Sequence, residues 1–330
     1  MLKKLATTGT CSIYRMETES PLDCIIASTP ETRAIENDPA VMGTDYTRRL
    51  QTACTRVLKT LREETIFTSL KERETIVFNI LRGGLNFGLR EALTDAYGWN
   101  THGSSFISAQ RTRDDASPEE WHIVESDYTK VYMPDTASIV IGDVVATGTS
   151  LEYAVNALIG EAERQGSDLR SVIFFTIGGP RAKEILTAAD ARCRKKFPGF
   201  ERTVLVYLEG CFSVPVPDTP VRIKITGTDL LRRDAVMAPE FIESQYENPC
   251  YPLQRCTIYD AGSRAFWTPE YLEDLLDYWT RVRQLADAGV TFEQMLAERF
   301  PDLDPQRFGN VNLKTLCADQ LAWVTSQLKS

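Results

Sequence analysis

The strongest constraint in this chain is an alternation of short apolar runs with amphipathic stretches between residues 44 and 208. Residues 44–64 place Leu50, Ala53, Cys54, Val57, Leu58 and Leu61 at helical spacing. A β-like run follows at Thr75–Leu81, then Gly83–Gly84, then a second helical stretch to about Ala96. Ser104–Ser108 reads as a strand, and the charged, proline-bearing stretch 111–135 reads as a long loop or mobile hairpin. Ser138–Ile141 and Ser171–Ile177 are strands of buried composition, each followed by a helix, at Thr149–Ala162 and at 181–190 with Pro180 in its first turn. Val204–Leu208 closes the series. Strands separated by helices at this spacing imply a mostly parallel sheet with crossover helices flanking it, an α/β fold.

Residues 213–262 are proline-rich and less regular, and from Pro269 the pattern is helical to the end. The spacing predicts one large unit over 1–268 and a helical C-terminal extension over 269–330. Trp267, Trp279 and Trp323 are expected to pack against the core or a sister subunit.

Composition removes several function classes. The chain has 330 residues, 46 acidic and 37 basic, for a formal charge of −9. An acidic surface argues against coating nucleic acid or anionic lipid, though it leaves room for a small basic pocket. The run Arg192, Arg194, Lys195, Lys196 is short and has no interleaved aromatics, which argues against RNA binding. No apolar segment approaches the ~20 residues of a membrane helix. The polar stretch Thr7–Ser12 is unlike the apolar centre of an export signal, so a cytoplasmic location is expected. Eight scattered cysteines and two histidines, His102 and His122, predict neither a zinc site nor a disulfide framework.

The segment Ser138–Leu151, SIVIGDVVATGTSL, carries the chemistry. A buried strand delivers Asp143, two β-branched residues, and then Ala146-Thr147-Gly148-Thr149-Ser150 at a helix start. Helix N-terminal amides and the helix dipole favour a phosphate there, and the loop lies at the carboxyl end of a strand. A plain strand-turn-helix junction with a Thr or Ser cap is the alternative for the bare T-G-T-S.

The whole pattern resembles the phosphoribosyl-diphosphate (PRPP) motif of type I phosphoribosyltransferases: apolar strand, one or two acids, two apolar residues, A-T-G-x-S/T. The resemblance puts Ala146, Thr147, Gly148, Thr149 and Ser150 on the 5′-phosphate and Asp143 on the ribose. This chain has Gly142 at the first acid position and Thr149 at a second glycine position.

Three further segments occur in the family's order and resemble uracil phosphoribosyltransferases most. Ile80-Leu81-Arg82-Gly83-Gly84-Leu85 resembles the L-R-A-G-L loop and implies that Arg82, Gly83 and Gly84 hold the pyrophosphate. Ile107–Asp115 resembles the stretch that opens a flexible hood, implying that Arg111 and Arg113 clamp the diphosphate and that Lys130 adds charge. Ile258–Phe266 resembles the G-D-A-G-D-R-x-F signature, which places Tyr259, Asp260, Ala261 and Gly262 at the base and at the metal–PRPP assembly. Asp260 and Arg264 match that signature, while Tyr259 and Ser263 depart from it.

The resemblance covers about residues 40–266. It implies transfer of a phosphoribosyl group from PRPP to uracil or a related pyrimidine, with Mg²⁺ held partly by Asp260 through water, in a homodimer. A second function class stays open: a non-catalytic PRPP- or nucleotide-binding regulatory protein, suggested by Gly142, Tyr259 and Ser263.

Overall fold

The computed structural model describes residues 2–64, 70–81, 83–113, 121–125, 128–225, 229–255 and 261–329. In chain order these hold strands β1 (Leu2–Thr8), β2 (Cys11–Met16) and β3 (Asp23–Ser28), then helices α1 (Pro30–Asn37) and α2 (Gly43–Glu63). β4 (Thr75–Leu81), a 3₁₀ turn at Gly83–Phe87, α3 (Leu89–Tyr97) and β5 (Gly103–Ser108) follow. Next come β6 (Gln110–Arg113), β7 (Trp121–Glu125), β8 (Thr129–Lys130), β9 (Thr136–Val145), α4 (Thr149–Gln165) and β10 (Asp168–Gly178). The rest comprises α5 (Arg181–Lys196), β11 (Arg202–Ser213), β12 (Leu231–Met237), α6 (Pro239–Ser244), α7 (Ala261–Phe266), α8 (Thr268–Asp287), α9 (Phe292–Arg299) and α10 (Leu313–Leu328).

The main sheet runs β1-β2-β3-β11-β10-β9-β4-β5-β8, with β12 beside the end of β11. β3, β11, β10, β9, β4 and β5 are mutually parallel, and antiparallel strands lie at both margins. The molecule is thus α/β, a mostly parallel sheet flanked by helices. The central strands are buried along nearly their whole length, as strands covered on both faces must be, which is why they read as continuous apolar runs.

The chain passes from β4 to β5 in one direction across the sheet, and from β9 to β10 and β11 in the other. The order therefore reverses between β4 and β9, which pair in register from Thr75↔Ser138 to Asn79↔Gly142. The crossovers leave their carboxyl ends in opposite directions and open a crevice there.

The 111–135 stretch contains the antiparallel pair β6–β7. The strands β1, β2 and β3 are an addition to the expected architecture. Trp279 is fully buried, Trp323 partly so, but Trp267 is exposed, so this last residue does not pack into the core of its own chain. Tyr278, Trp279, Phe292, Met295 and Phe300 join the same contiguous apolar core as the sheet. No helix among the described residues is long and apolar enough to cross a membrane.

The basic run at the end of α5 is engaged in local pairs. Arg194 donates to the buried Asp190, Arg192 to Asn156 and Lys196 to Glu163. The run complements the negative end of the helix. Among the described residues Cys11, Cys24, Cys54, Cys193, Cys250 and Cys317 are buried thiols. Burial pushes Cys11 and Cys24 up to about 11, so these thiols stay protonated and unreactive.

Candidate functional site

Two loops flank the crevice at the reversal point. On one side β9 ends in Asp143, Val144 and Val145 and hands over to the loop Ala146–Ser150. Gly148 caps α4 with φ +78°, a conformation that favours glycine. A side chain there would also stand 2.4 Å from Ile185 Cδ1 and 2.9 Å from Arg181 Cγ, so the loop is pressed onto the start of α5. Thr147, Thr149 and Ser150 are half-buried. The Thr147 and Thr149 hydroxyls lie 3.3 Å apart, and the Ser150 hydroxyl donates to the Ala109 carbonyl at 3.4 Å, tying the loop to the end of β5. Gly148 supplies no side-chain cap, so the first amides of this 17-residue helix face outward with the positive end of its dipole.

On the other side β4 delivers the 83–87 turn. A Cβ on Gly83 would lie 2.6 Å from Asp143 Oδ1, and one on Gly84 would lie 2.9 Å from the Gly142 carbonyl oxygen. The two glycines thus let this turn sit directly on the Gly142–Asp143 step. Asp143 is buried, and its Oδ1 accepts from the Val144 amide at 2.9 Å. Gly142 has its own reason to be glycine: a Cβ there would meet the wholly buried Phe87 ring at 2.5 Å.

Asp143, Gly83, Gly84 and the loop Ala146, Thr147, Gly148, Thr149, Ser150 therefore converge. Arg82, Tyr259 and Asp260 lie outside the described residues. For Arg111 and Arg113 the backbone is in β6, with side chains outside the described set, and Ala261 likewise has only its backbone placed, at the start of α7. Gly262 sits within α7, which packs beside the 83–87 turn and α2. Lys130 lies exposed on β8, its ammonium over the Tyr132 ring at 5.4 Å.

Three contributors lack a chemical motif in the sequence. Phe87 fills the space above Gly142. Arg181 packs its stem on Gly148 and pairs with Glu152 and Glu184, which raise its pKa. The signal available was its position, directly after Gly178-Gly179-Pro180 at the carboxyl end of β10. The third, Tyr46 in the first turn of α2, is fully buried, and burial pushes its phenol up; Asp143 is close enough to add to that rise.

Among the described residues no group of three or more His, Cys, Asp or Glu side chains gathers as a metal cage. Among the described residues the donor set at this site is the buried carboxylate of Asp143 with nearby hydroxyls. Mg²⁺ commonly takes one or two carboxylates and completes its shell with substrate phosphate oxygens and water, so the site fits an ion that arrives with a diphosphate.

No family model matches the chain, and no curated protein does. Solved structures similar to parts of it include a hypoxanthine-guanine phosphoribosyltransferase from Bacillus anthracis, at 18% identity over 40% of this chain and 69% of that one, TM-score 0.27. A hypoxanthine phosphoribosyltransferase from Staphylococcus aureus matches at 11% identity over 52% and 79%, TM-score 0.29. One from Trypanosoma cruzi, complexed with the product IMP, matches at 15% identity over 61% and 86%, TM-score 0.25. Similarity at this level leaves the assignment to the chain's own residues.

Proposed function

We propose that the protein is a PRPP-dependent phosphoribosyltransferase that transfers the phosphoribosyl group to a nucleobase, uracil or a related pyrimidine, releasing pyrophosphate. The supporting observation is the seating of the Gly83–Gly84 turn on Asp143, opposite the helix-capping loop 146–150, at the point where strand order reverses. One loop offers amides and hydroxyls to a terminal phosphate, the other offers the half-buried backbone at Gly83 to a diphosphate, and a carboxylate lies between them for ribose hydroxyls.

In this reading a ring nitrogen of the base attacks ribose C1 while the C1–O bond to pyrophosphate breaks, and the proton on that nitrogen passes to water. Positive charge grows on the ribose ring and negative charge on the leaving group. The loop 146–150 anchors the 5′-phosphate, which fixes C1 relative to the incoming base. Asp143 holds the ribose hydroxyls. The amides of Gly83 and Gly84, with Arg82, Arg111 and Arg113, neutralise the departing diphosphate. Mg²⁺, held by Asp143 and Asp260 through water, would supply further charge neutralisation on that group. Recognition of the base is assigned to Tyr259, Ala261 and Gly262. A cytoplasmic homodimer is the setting this proposal adopts.

A second reading, PRPP or nucleotide binding without turnover, has one observation in its favour. The Phe87 ring occupies the space a side chain at 142 would need, so Asp143 acts without an adjacent acid on its strand. Mixing the protein with PRPP and Mg²⁺ and offering uracil, cytosine, hypoxanthine and guanine in turn separates the two. Pyrophosphate release with a pyrimidine supports the transferase. Saturable PRPP binding with no release for any base supports the binding protein.

A further inference from the structure

Arg264 is wholly buried on α7, and its partners describe a frame. Its Nε donates to the Val41 carbonyl at 2.6 Å, its Nη1 to Ile35 at 3.0 Å and its Nη2 to Asp38 at 2.9 Å. Its guanidinium lies 4.9 Å from the Tyr46 ring centroid and 5.4 Å from that of Tyr271. The Tyr271 hydroxyl in turn donates to the Pro39 carbonyl at 3.1 Å. One side chain thus locks α7 to the end of α1, the 38–41 connection, and the first turns of α2 and α8.

What α7 touches gives this lock a consequence. It packs against the 83–87 turn, whose far end is backed by α2: a Cβ on Gly88 would lie 2.8 Å from Gln51 Cβ. The turn is seated on Asp143. The 146–150 loop is held separately, by α5 through Ile185 and Arg181 and by Ala109. A planar fork bonding three carbonyls at once cannot be reproduced by a lysine.

We propose that Arg264 is a positioning residue for the ligand site, setting the placement of α7 and through it of the 83–87 turn, without contact with the ligand. This rests on the functional reading above, with the turn on the diphosphate and the 146–150 loop on the 5′-phosphate. It separates two ligands: ribose 5-phosphate engages only the loop and Asp143, whereas PRPP also engages the turn.

The test is calorimetric titration of both ligands, with Mg²⁺, into wild type, Arg264→Lys and Tyr271→Phe, each checked for folding by circular dichroism. The expected result for Arg264→Lys is PRPP affinity weakened about tenfold or more with ribose 5-phosphate affinity unchanged. Tyr271→Phe shows a smaller loss in the same direction and decides the matter if the lysine variant does not fold. Equal loss of both ligands, or undiminished PRPP affinity in a folded variant, overturns the proposal. Wild-type protein that binds neither ligand overturns the functional reading itself and this proposal with it. Wild type that binds both equally, without benefit from the diphosphate, overturns the role given to the turn.

Discussion

Glu209 is wholly buried beside the first turn of α1 and holds a left-handed backbone at φ +60°. Its Oε1 accepts from the Thr29 amide at 3.0 Å and from the Thr32 hydroxyl. Burial pushes its carboxyl up to about 7 from an ordinary 4.5, against the lowering pull of Thr32, Ser28, Arg33 and the Thr29 amide. Between those two pH values the folded chain keeps a proton that the unfolded chain has lost. The contribution of this one group to stability therefore falls as pH rises from about 4.5 to about 7, by about 3 kcal/mol for a shift of this size, and changes no further above that. Glu209→Gln is expected to remove that contribution, so that urea titrations at pH 5 and pH 8 differ less than in wild type. Equal pH dependence in both proteins would count against the buried carboxyl.

Gly142→Ala drives a methyl into the Phe87 ring and is expected to destabilise by about 1–3 kcal/mol, read from the urea midpoint. Shortening the neighbour in Gly142→Ala/Phe87→Leu should recover part of the loss; an additive double variant would show that the contact is not the cause.

Among elements, legibility in the sequence followed burial. Helix α2 and strand β4 match the residues the pattern indicated because α2 presents a clean apolar stripe and β4 is buried at nearly every position. The motif-bearing ends of β4 and β9 were readable for the same reason: composition switches sharply from apolar to Gly, Thr and Ser. β1 was not legible. It is a margin strand whose burial is mostly partial or exposed, and LKKLATT carries no alternation strong enough to read. Phe87 and Tyr46 were opaque as site residues because their roles depend on partners far away in the chain, and Arg264, although it matched a signature, gave no sign of the carbonyls it binds near residues 35–41. Trp279 shows the same long-range dependence: its indole N–H donates to Gln254 Oε1 at 3.3 Å, and Gln254 Nε2 donates to Gln320. Trp279→Phe keeps most of the ring and loses that bond, so a loss of about 1 kcal/mol is expected by chemical denaturation. No loss would show the bond to be neutral.

Across the whole molecule, a chain with a formal charge of −9 would have to hold the proposed polyanionic ligand through local groups at the carboxyl end of the sheet instead of through net charge. The C-terminal helices bear on that architecture. α9 packs on β12 and on the 251–253 turn, Arg233 reaches the carbonyls of Ala297 and Glu298, and the buried Arg299 faces Asp229 at 3.6 Å. A chain ended after Trp267 would uncover these surfaces, and it is expected to lose cooperative unfolding in a thermal melt; a sharp transition would show that 1–267 folds alone. Calorimetric titration of PRPP with Mg²⁺ into wild type and Gly83→Val tests whether the crevice between β4 and β9 is the ligand site. Wild type is expected to bind saturably, and the variant, whose side chain must displace Asp143 or the turn, about tenfold or more weakly. Equal PRPP affinity in the two proteins, or none in wild type, would contradict it.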